Sequence, residues 1–156
     1  MSTRLGNLAT AVEAIAAPDT TAARAAQLMR THHVGALVVI DSGTGPSRPI
    51  GIVTDRDLVL AVMARELDPA LFTVGDVMLT SPVTAPATTG LEEAMALMRE
   101  HQIRRLIVVD DEARVVGIAT MEDLLAAMAS EFSHLVLALR GARDRERAHH
   151  TEPLPA

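Results

Sequence analysis

The sequence contains no cysteine, no lysine, no tryptophan and no tyrosine, and only two phenylalanines. Without cysteine there are no disulfides, zinc–thiolate sites, iron–sulfur clusters or thiol nucleophiles. Without lysine there is no phosphate-loop lysine and no Schiff-base chemistry. Aromatics are 1% of the chain, which argues against base-stacking platforms for single-stranded nucleic acid and against aromatic cages for quaternary ammonium ligands. No apolar run approaches the 18 or more residues of a membrane span. The N-terminal stretch, interrupted by Asn7 and Glu13, does not read as a signal peptide. The expectation is a cytoplasmic protein with no membrane role.

What is present is aliphatic and acidic. Of 156 residues 49% are apolar, so Ala, Val, Leu, Ile and Met must build the core. One domain, or two small halves sharing a core, fits a length of roughly 150 residues per domain. Fourteen arginines against twenty acidic residues leave a net charge of −6, which disfavours general binding to nucleic acid. The Arg-rich segment Arg140–Arg147 is interleaved with Asp144 and Glu146 and reads as a solvated helix end. Deleting residues 140–156 tests the nucleic-acid alternative.

The chain repeats itself. Shifted by 69, residues 20–41 fall on 89–110, matching at Ala25/Ala94, Leu28/Leu97, Met29/Met98, Leu37/Leu106 and Asp41/Asp110. Shifted by 66, residues 51–61 fall on 117–127, matching at Gly51/Gly117, Thr54/Thr120, Asp57/Asp123 and Leu58/Leu124. Upstream, LGNLA (5–9) echoes VGDVM (74–78). Each half reads as β-α-β-β-α. A short extended segment (Glu13–Ala16, Val83–Ala85) precedes a helix with apolar residues three and four apart, capped by Thr20/Thr21 or Thr88/Thr89. A β-branched buried strand follows, then a turn, a third strand and a second helix (Asp55–Arg65, Met121–Ser130). One unit cannot bury both faces of its strands alone, so two should pack sheet to sheet. The expected division is 5–66 and 74–131 for the halves, 67–73 with Asp68-Pro69 as linker, and 132–156 as a C-terminal helix and flexible tail, disordered from Ala148.

The chemistry concentrates in Gly-Ile-Val-Thr-Asp-Arg-Asp (51–57) and Gly-Ile-Ala-Thr-Met-Glu-Asp (117–123). In each, a strand ends at a Thr, a helix begins, and an Asp follows three residues later. Unpaired N–H groups at a helix start favour a phosphate, the Thr hydroxyl adds a donor, and the Asp can accept from both ribose hydroxyls. Thr-x-x-acid is equally a capping box. The residues alone leave both readings open. Arg56 in the first motif offers donors to phosphate where Glu122 in the second repels it. The histidines show no metal-ligand spacing, and no catalytic constellation stands out.

The whole pattern resembles a tandem pair of cystathionine-β-synthase (CBS) domains, a Bateman module. The resemblance covers roughly residues 5–131 and rests on the two β-α-β-β-α copies, DVM (76–78), PVTAP (82–86), the LVVID and LIVVD strands, and GIVTDRDL and GIATMEDL. It implies an α/β fold of two CBS motifs with pseudo-twofold symmetry. It further implies nucleotide binding, with Asp57 and Asp123 on ribose and Thr54 and Thr120 on phosphate; Arg56 makes the first motif the better phosphate end, and Arg104 and Arg105, entering the second strand near the family's cleft, either supply charge there or form surface salt bridges. Ile15 and Ala16, with Val83 and Thr84, are the implied adenine pocket, although the entry to the first repeat lacks the usual Val-Thr-Val character. The implied ligands are AMP, ADP, ATP or S-adenosylmethionine; no cofactor is required and no enzyme activity is expected. The implied assembly is a homodimer through helix faces such as Leu58/Val62 and Leu124/Ala127/Met128, acting on a separate effector protein. The alternative is a ligand-free dimerisation or scaffold module whose T-x-x-D motifs are only caps.

Overall fold

In chain order, α1 (Leu5–Leu8) and β1 (Thr10–Ala11) lead into β2 (Ile15–Ala16), α2 (Ala22–His32), β3 (Ala36–Ile40), β4 (Pro49–Thr54) and α3 (Asp55–Ala61). A 3₁₀ turn at Met63–Arg65 follows. Then α4 (Val74–Val77) and β5 (Leu79–Thr80) lead into β6 (Thr84–Pro86), α5 (Leu91–His101), β7 (Arg105–Val109), β8 (Val115–Thr120) and α6 (Met121–His149). The structure is a computed structural model and describes residues 3–11, 15–41 and 47–149. Glu13 and Ala14 of the expected first strand, and residues 150–156 of the expected tail, lie outside the described residues. Ala148 and His149, expected in that tail, belong to α6 instead.

The strands form two four-stranded sheets, ordered β2-β3-β4-β5 and β1-β8-β7-β6. Their β-branched runs are buried on both faces. Leu37, Val39 and Val53 face α2 and α3, packing with Ala25, Met29, Leu58 and Val62. Leu106 and Val108 face α5 and α6, packing with Ala94, Met98 and Leu124. The residues between them point the other way. Val38, Ile107 and Val109 form a third cluster against Ile40, Ile52, Val115 and Ile118, and there the two sheets meet. The layers therefore run helix, sheet, sheet, helix, as two amphipathic units burying their remaining apolar face on each other.

The short leading segments are exchanged. β1 pairs antiparallel with β8, and β5 pairs antiparallel with β4, so the segment upstream of each half completes the other half's sheet. The duplicated glycines make room for this. A Cβ on Gly117 would sit 2.7 Å from the Thr10 carbonyl oxygen and 2.9 Å from the Ala9 Cβ, and one on Gly51 would run into Met78 Sδ. Leu5 from α1 is fully buried in the second core.

Three local expectations need correcting. Thr21 does cap α2, accepting from the Arg24 N–H at 3.2 Å, but Gly90, not Thr88 or Thr89, caps α5. Thr89 is instead buried, and its carbonyl accepts the Leu5 N–H at 2.9 Å, anchoring the exchanged α1. The helix expected over Asp55–Arg65 stops at Ala61, and Glu66 closes the 3₁₀ turn in the left-handed region at φ 56°. The faces expected to dimerise are spent internally: Leu58, Val62, Leu124 and Ala127 are buried in the chain's own cores and only Met128 is partly open. An amphipathic pattern shows that a face is apolar, not which neighbour covers it. The segment after Asp68 folds back, the Pro69 and Phe72 carbonyls accepting the Ala23 and Ala22 N–H groups at 3.0 and 2.8 Å.

Leu5→Ala is expected to lower the unfolding free energy by about 2–5 kcal/mol, as for a fully buried leucine, read by urea titration with far-UV circular dichroism. Gly117→Ala, forced against the Thr10 backbone, is expected to lower it by about 1–3 kcal/mol in the same assay.

Candidate functional site

Each strand–helix junction is a closed capping box. Thr54 ends β4 in extended backbone at φ −111° and ψ 162° and caps α3. Its N–H and hydroxyl donate to Asp57 Oδ2 at 2.8 and 2.7 Å, and the Asp57 N–H donates back to Thr54 Oγ1 at 3.2 Å. Thr120 and Asp123 repeat the three bonds at 2.8, 2.7 and 3.2 Å. The Thr hydroxyl proton is therefore engaged, while both bonds to each carboxylate fall on Oδ2 and leave Oδ1 available as an acceptor. Each junction is tied to the start of the preceding strand: the Asp55 N–H donates to the Gly35 carbonyl at 3.1 Å and the Met121 N–H to the Arg104 carbonyl at 3.0 Å.

The sequence holds a third box, at Thr73 and Asp76. The Thr73 N–H and hydroxyl donate to Asp76 Oδ2, each at 2.8 Å. That backbone bond, then the hydroxyl, holds the Asp76 carboxyl below the usual carboxylate range. This box opens the one-turn α4 rather than closing a sheet strand. Box geometry by itself thus marks no ligand site; what distinguishes Thr54–Asp57 and Thr120–Asp123 is their place at the ends of the two central hairpins.

Strand register sorts the other candidates. Ile15 is level with Val38 and Thr84 with Ile107 in parallel pairs, so both share the face on which the sheets meet, and both are exposed. Ala16 is level with Val39 and buried in the first core, and Val83 packs against the second. Ala16 can therefore reach a ligand only through backbone groups, whereas Val83 is only partly buried.

The paired arginines diverge, as neighbours on a strand must. Arg105 shares the inter-sheet face with Ile107 and crosses to the first half. A Cβ placed on Gly35 would lie 3.6 Å from Arg105 Nη2 and 3.4 Å from Asp55 Oδ2. A cation from the second half and a carboxylate from the first converge there, one residue from Thr54. Arg104 instead lines an outer groove with Met121 and Leu125. Arg56 is exposed on the first turn of α3, its N–H donating to Asp55 Oδ1 at 2.8 Å. Asp55 is the participant that sequence reasoning passed over, although its replacement by Met121 in the second copy already marked an asymmetry. The first junction therefore combines Thr54, Asp55, Arg56, Asp57 and Arg105, whereas the second combines Thr120, Met121, Glu122 and Asp123. Among the described residues no group of three or more His, Asp or Glu side chains is placed to hold a metal ion.

The comparisons with known proteins agree with this architecture. The family model described as "CBS domain" matches residues 8–64 and again 74–130. The uncharacterized protein MK0525 of Methanopyrus kandleri is 37% identical over 108 residues, 69% of this chain, and this chain spans only 54% of that protein's length. The CBS domain-containing protein YhcV of Bacillus subtilis is 38% identical over 120 residues, 77% of this chain and 81% of YhcV. Among solved structures, CBSX2, a CBS-pair protein of Arabidopsis thaliana, in complex with AMP, superposes with a TM-score of 0.66 at 31% identity, covering 81% of this chain and 96% of that one.

Thr54→Ala, Thr73→Ala and Thr120→Ala should each cost about 0.5–2 kcal/mol of stability, the range for losing an N-cap side chain, when compared by chemical denaturation without ligand.

Proposed function

Because the chain belongs to the CBS-domain family, with one copy in each half, we propose that it is a regulatory CBS pair. It binds an adenine nucleotide (AMP, ADP or ATP) or another adenosyl compound such as S-adenosylmethionine between its motifs and passes the ligand state to a separate partner protein. The observation that carries this reading is the convergence of Arg105 from one half with Asp55 of the other beside the Thr54–Asp57 junction. A ligand seated there touches both halves, so it can favour one arrangement of them over another by its differential affinity. The AMP complex of CBSX2 supports the ligand class.

The proposed roles are consistent with the geometry of the two junctions. Asp57 Oδ1, and Asp123 Oδ1 at the second junction, accept from ribose hydroxyls. The first three N–H groups of α3 already donate to the Gly35 carbonyl, Asp55 Oδ1 and Thr54 Oγ1, so phosphate contacts fall to side chains, with the Thr54 or Thr120 hydroxyl turning from its Asp carboxylate to a phosphate oxygen. Arg56 and Arg105 balance phosphate charge at the first junction. The second carries Glu122 in place of Arg56 and suits a less charged adenosyl ligand. Ile15 and Thr84 flank the base, with Ala16 and Val83 contributing backbone groups. Arg104 acts only through the carbonyl that holds the Met121 N–H. The reading includes no catalytic residue, no required cofactor, a homodimer and a cytoplasmic setting. A ligand-free dimerisation module is the second reading, favoured by boxes in which each Thr hydroxyl is taken up by its own Asp.

Scanning calorimetry with AMP, ADP, ATP, NAD, S-adenosylmethionine and GMP separates the two. A true ligand at a hundredfold its dissociation constant is expected to stabilise the chain by about 2.7 kcal/mol. The gain should vanish in Asp57→Ala or Asp123→Ala, identifying the working site, and persist in Asp76→Ala, whose box is of the same form. No gain with any compound at millimolar concentration would establish the ligand-free module.

A further inference from the structure

The space above Gly35 is bounded by two opposite charges. The three atoms nearest to where a Cβ would stand are Asp55 Oδ2 at 3.4 Å, Arg105 Nη2 at 3.6 Å and Asp55 Cγ at 3.7 Å. Gly35 lies outside the left-handed region, so its backbone does not demand a glycine. What the missing side chain provides is the gap itself.

Asp55 is fixed on one side of that gap. Its Oδ1 accepts the Arg56 N–H at 2.8 Å, its own N–H donates to the Gly35 carbonyl at 3.1 Å, and Oδ2 is left facing the opening. Arg105 reaches the same opening from the other half of the chain. It is half-buried, and its guanidinium makes no hydrogen bond or ion pair among the described residues. A guanidinium carries five donors, and partial burial raises the cost of leaving them unmet. Cation and carboxylate face each other here without closing on each other.

The surrounding charges make this balance sensitive to a ligand. At the first junction Asp55 and Asp57 oppose Arg56 and Arg105, and the four charges cancel. Asp57 is engaged by the Thr54 N–H and hydroxyl, so Asp55 is the carboxylate that faces Arg105. The second copy lacks the arrangement: Met121 corresponds to Asp55, Arg104 to Gly35 and Ala36 to Arg105. A carboxylate carries one negative charge, a phosphate monoester roughly −1.5 to −2 at pH 7. The phosphate is the stronger partner for a guanidinium and can engage two of its donors at once.

We propose that Asp55 is the specificity-determining residue of the first junction, a proposal that rests on the nucleotide reading given above. Its carboxylate competes with a ligand's phosphate for Arg105. The junction therefore sorts adenosyl ligands by the charge they carry at the 5′ position. A phosphorylated ligand displaces the carboxylate, and an uncharged nucleoside gains nothing from Arg105. By opposing every phosphorylated ligand, Asp55 also sets the concentration at which the junction fills; such a repulsive element is a means of specificity as much as an attractive contact is.

Isothermal titration tests this with AMP, adenosine 5′-sulfate, adenosine and S-adenosylmethionine. The full-length chain is used intact and with Asp123→Ala, which removes the ribose acceptor of the second junction. Asp55→Asn keeps an acceptor for the Arg56 N–H and loses the charge; Asp55→Ala is the second variant, and circular dichroism verifies that each folds. In the Asp123→Ala chain both should tighten AMP by about fivefold or more, tighten the singly charged sulfate less, and leave adenosine unchanged. Arg105→Gln should weaken AMP by about tenfold or more, and most of the gain from Asp55→Asn should disappear in its presence. Equal AMP affinity with and without Asp55, or a gain of the same size for adenosine, would overturn the proposal and leave the nucleotide reading standing. So would binding to the intact chain that is lost in Asp123→Ala, which places the ligand at the second junction alone. Weaker S-adenosylmethionine binding by Asp55→Asn with no gain for AMP would overturn it too and assign the gap to a zwitterionic amino-acid tail. No binding of any compound to the intact chain or to any variant would overturn the nucleotide reading as well.

Discussion

The contact of the two sheets through Val38, Ile107 and Val109 is the constraint on which the rest of the molecule depends. It requires every central strand to be apolar on both faces, because one face already serves the helices. It also holds the two strand–helix junctions in a fixed relation, and it carries Arg105 from one half to the Asp55 of the other. The strand exchange locks this arrangement. With β1 on β8 and β5 on β4, neither half can complete its sheet without the other, and Leu5 and Gly117 are the residues through which that dependence acts.

Duplication preserved the scaffold and let the chemistry diverge. The capping boxes agree between the copies to the same bond lengths, and the left-handed residues ending α2 and α5, His33 and Gln102, agree within a degree in φ. The side chains around the boxes do not agree. Asp55, Arg56 and the small pair Gly35-Ala36 stand where the second copy has Met121, Glu122 and Arg104-Arg105. Two like junctions thus present unlike electrostatics, and a twofold scaffold supports unequal sites.

Much of this was legible because repeats and periodicities are local signals. The duplicated strands, the helix faces and the two T-x-x-D motifs all follow from spacing within short windows. Partner choice does not. The echo of LGNLA in VGDVM was visible, but nothing local says that each segment pairs with the far sheet. The same gap placed Leu58, Val62, Leu124 and Ala127 on an outer surface, although they are internal. Arg104 and Arg105 were treated as a pair, whereas a period of two already sends them to opposite faces. Asp55 and the Thr73–Asp76 box were passed over because each reads as an ordinary helix start until its neighbours are seen.

The central claim is that a carboxylate at a strand–helix junction holds the ribose of an adenosyl ligand. The most direct measurement is isothermal titration of the full chain with AMP and with 2′-deoxy-AMP under identical conditions. Removing one hydroxyl that an aspartate accepts should weaken binding by about tenfold or more, which is about 1.4 kcal/mol or more. Binding of AMP with undiminished affinity for the deoxy compound would contradict the account and return Asp57 and Asp123 to the role of helix caps.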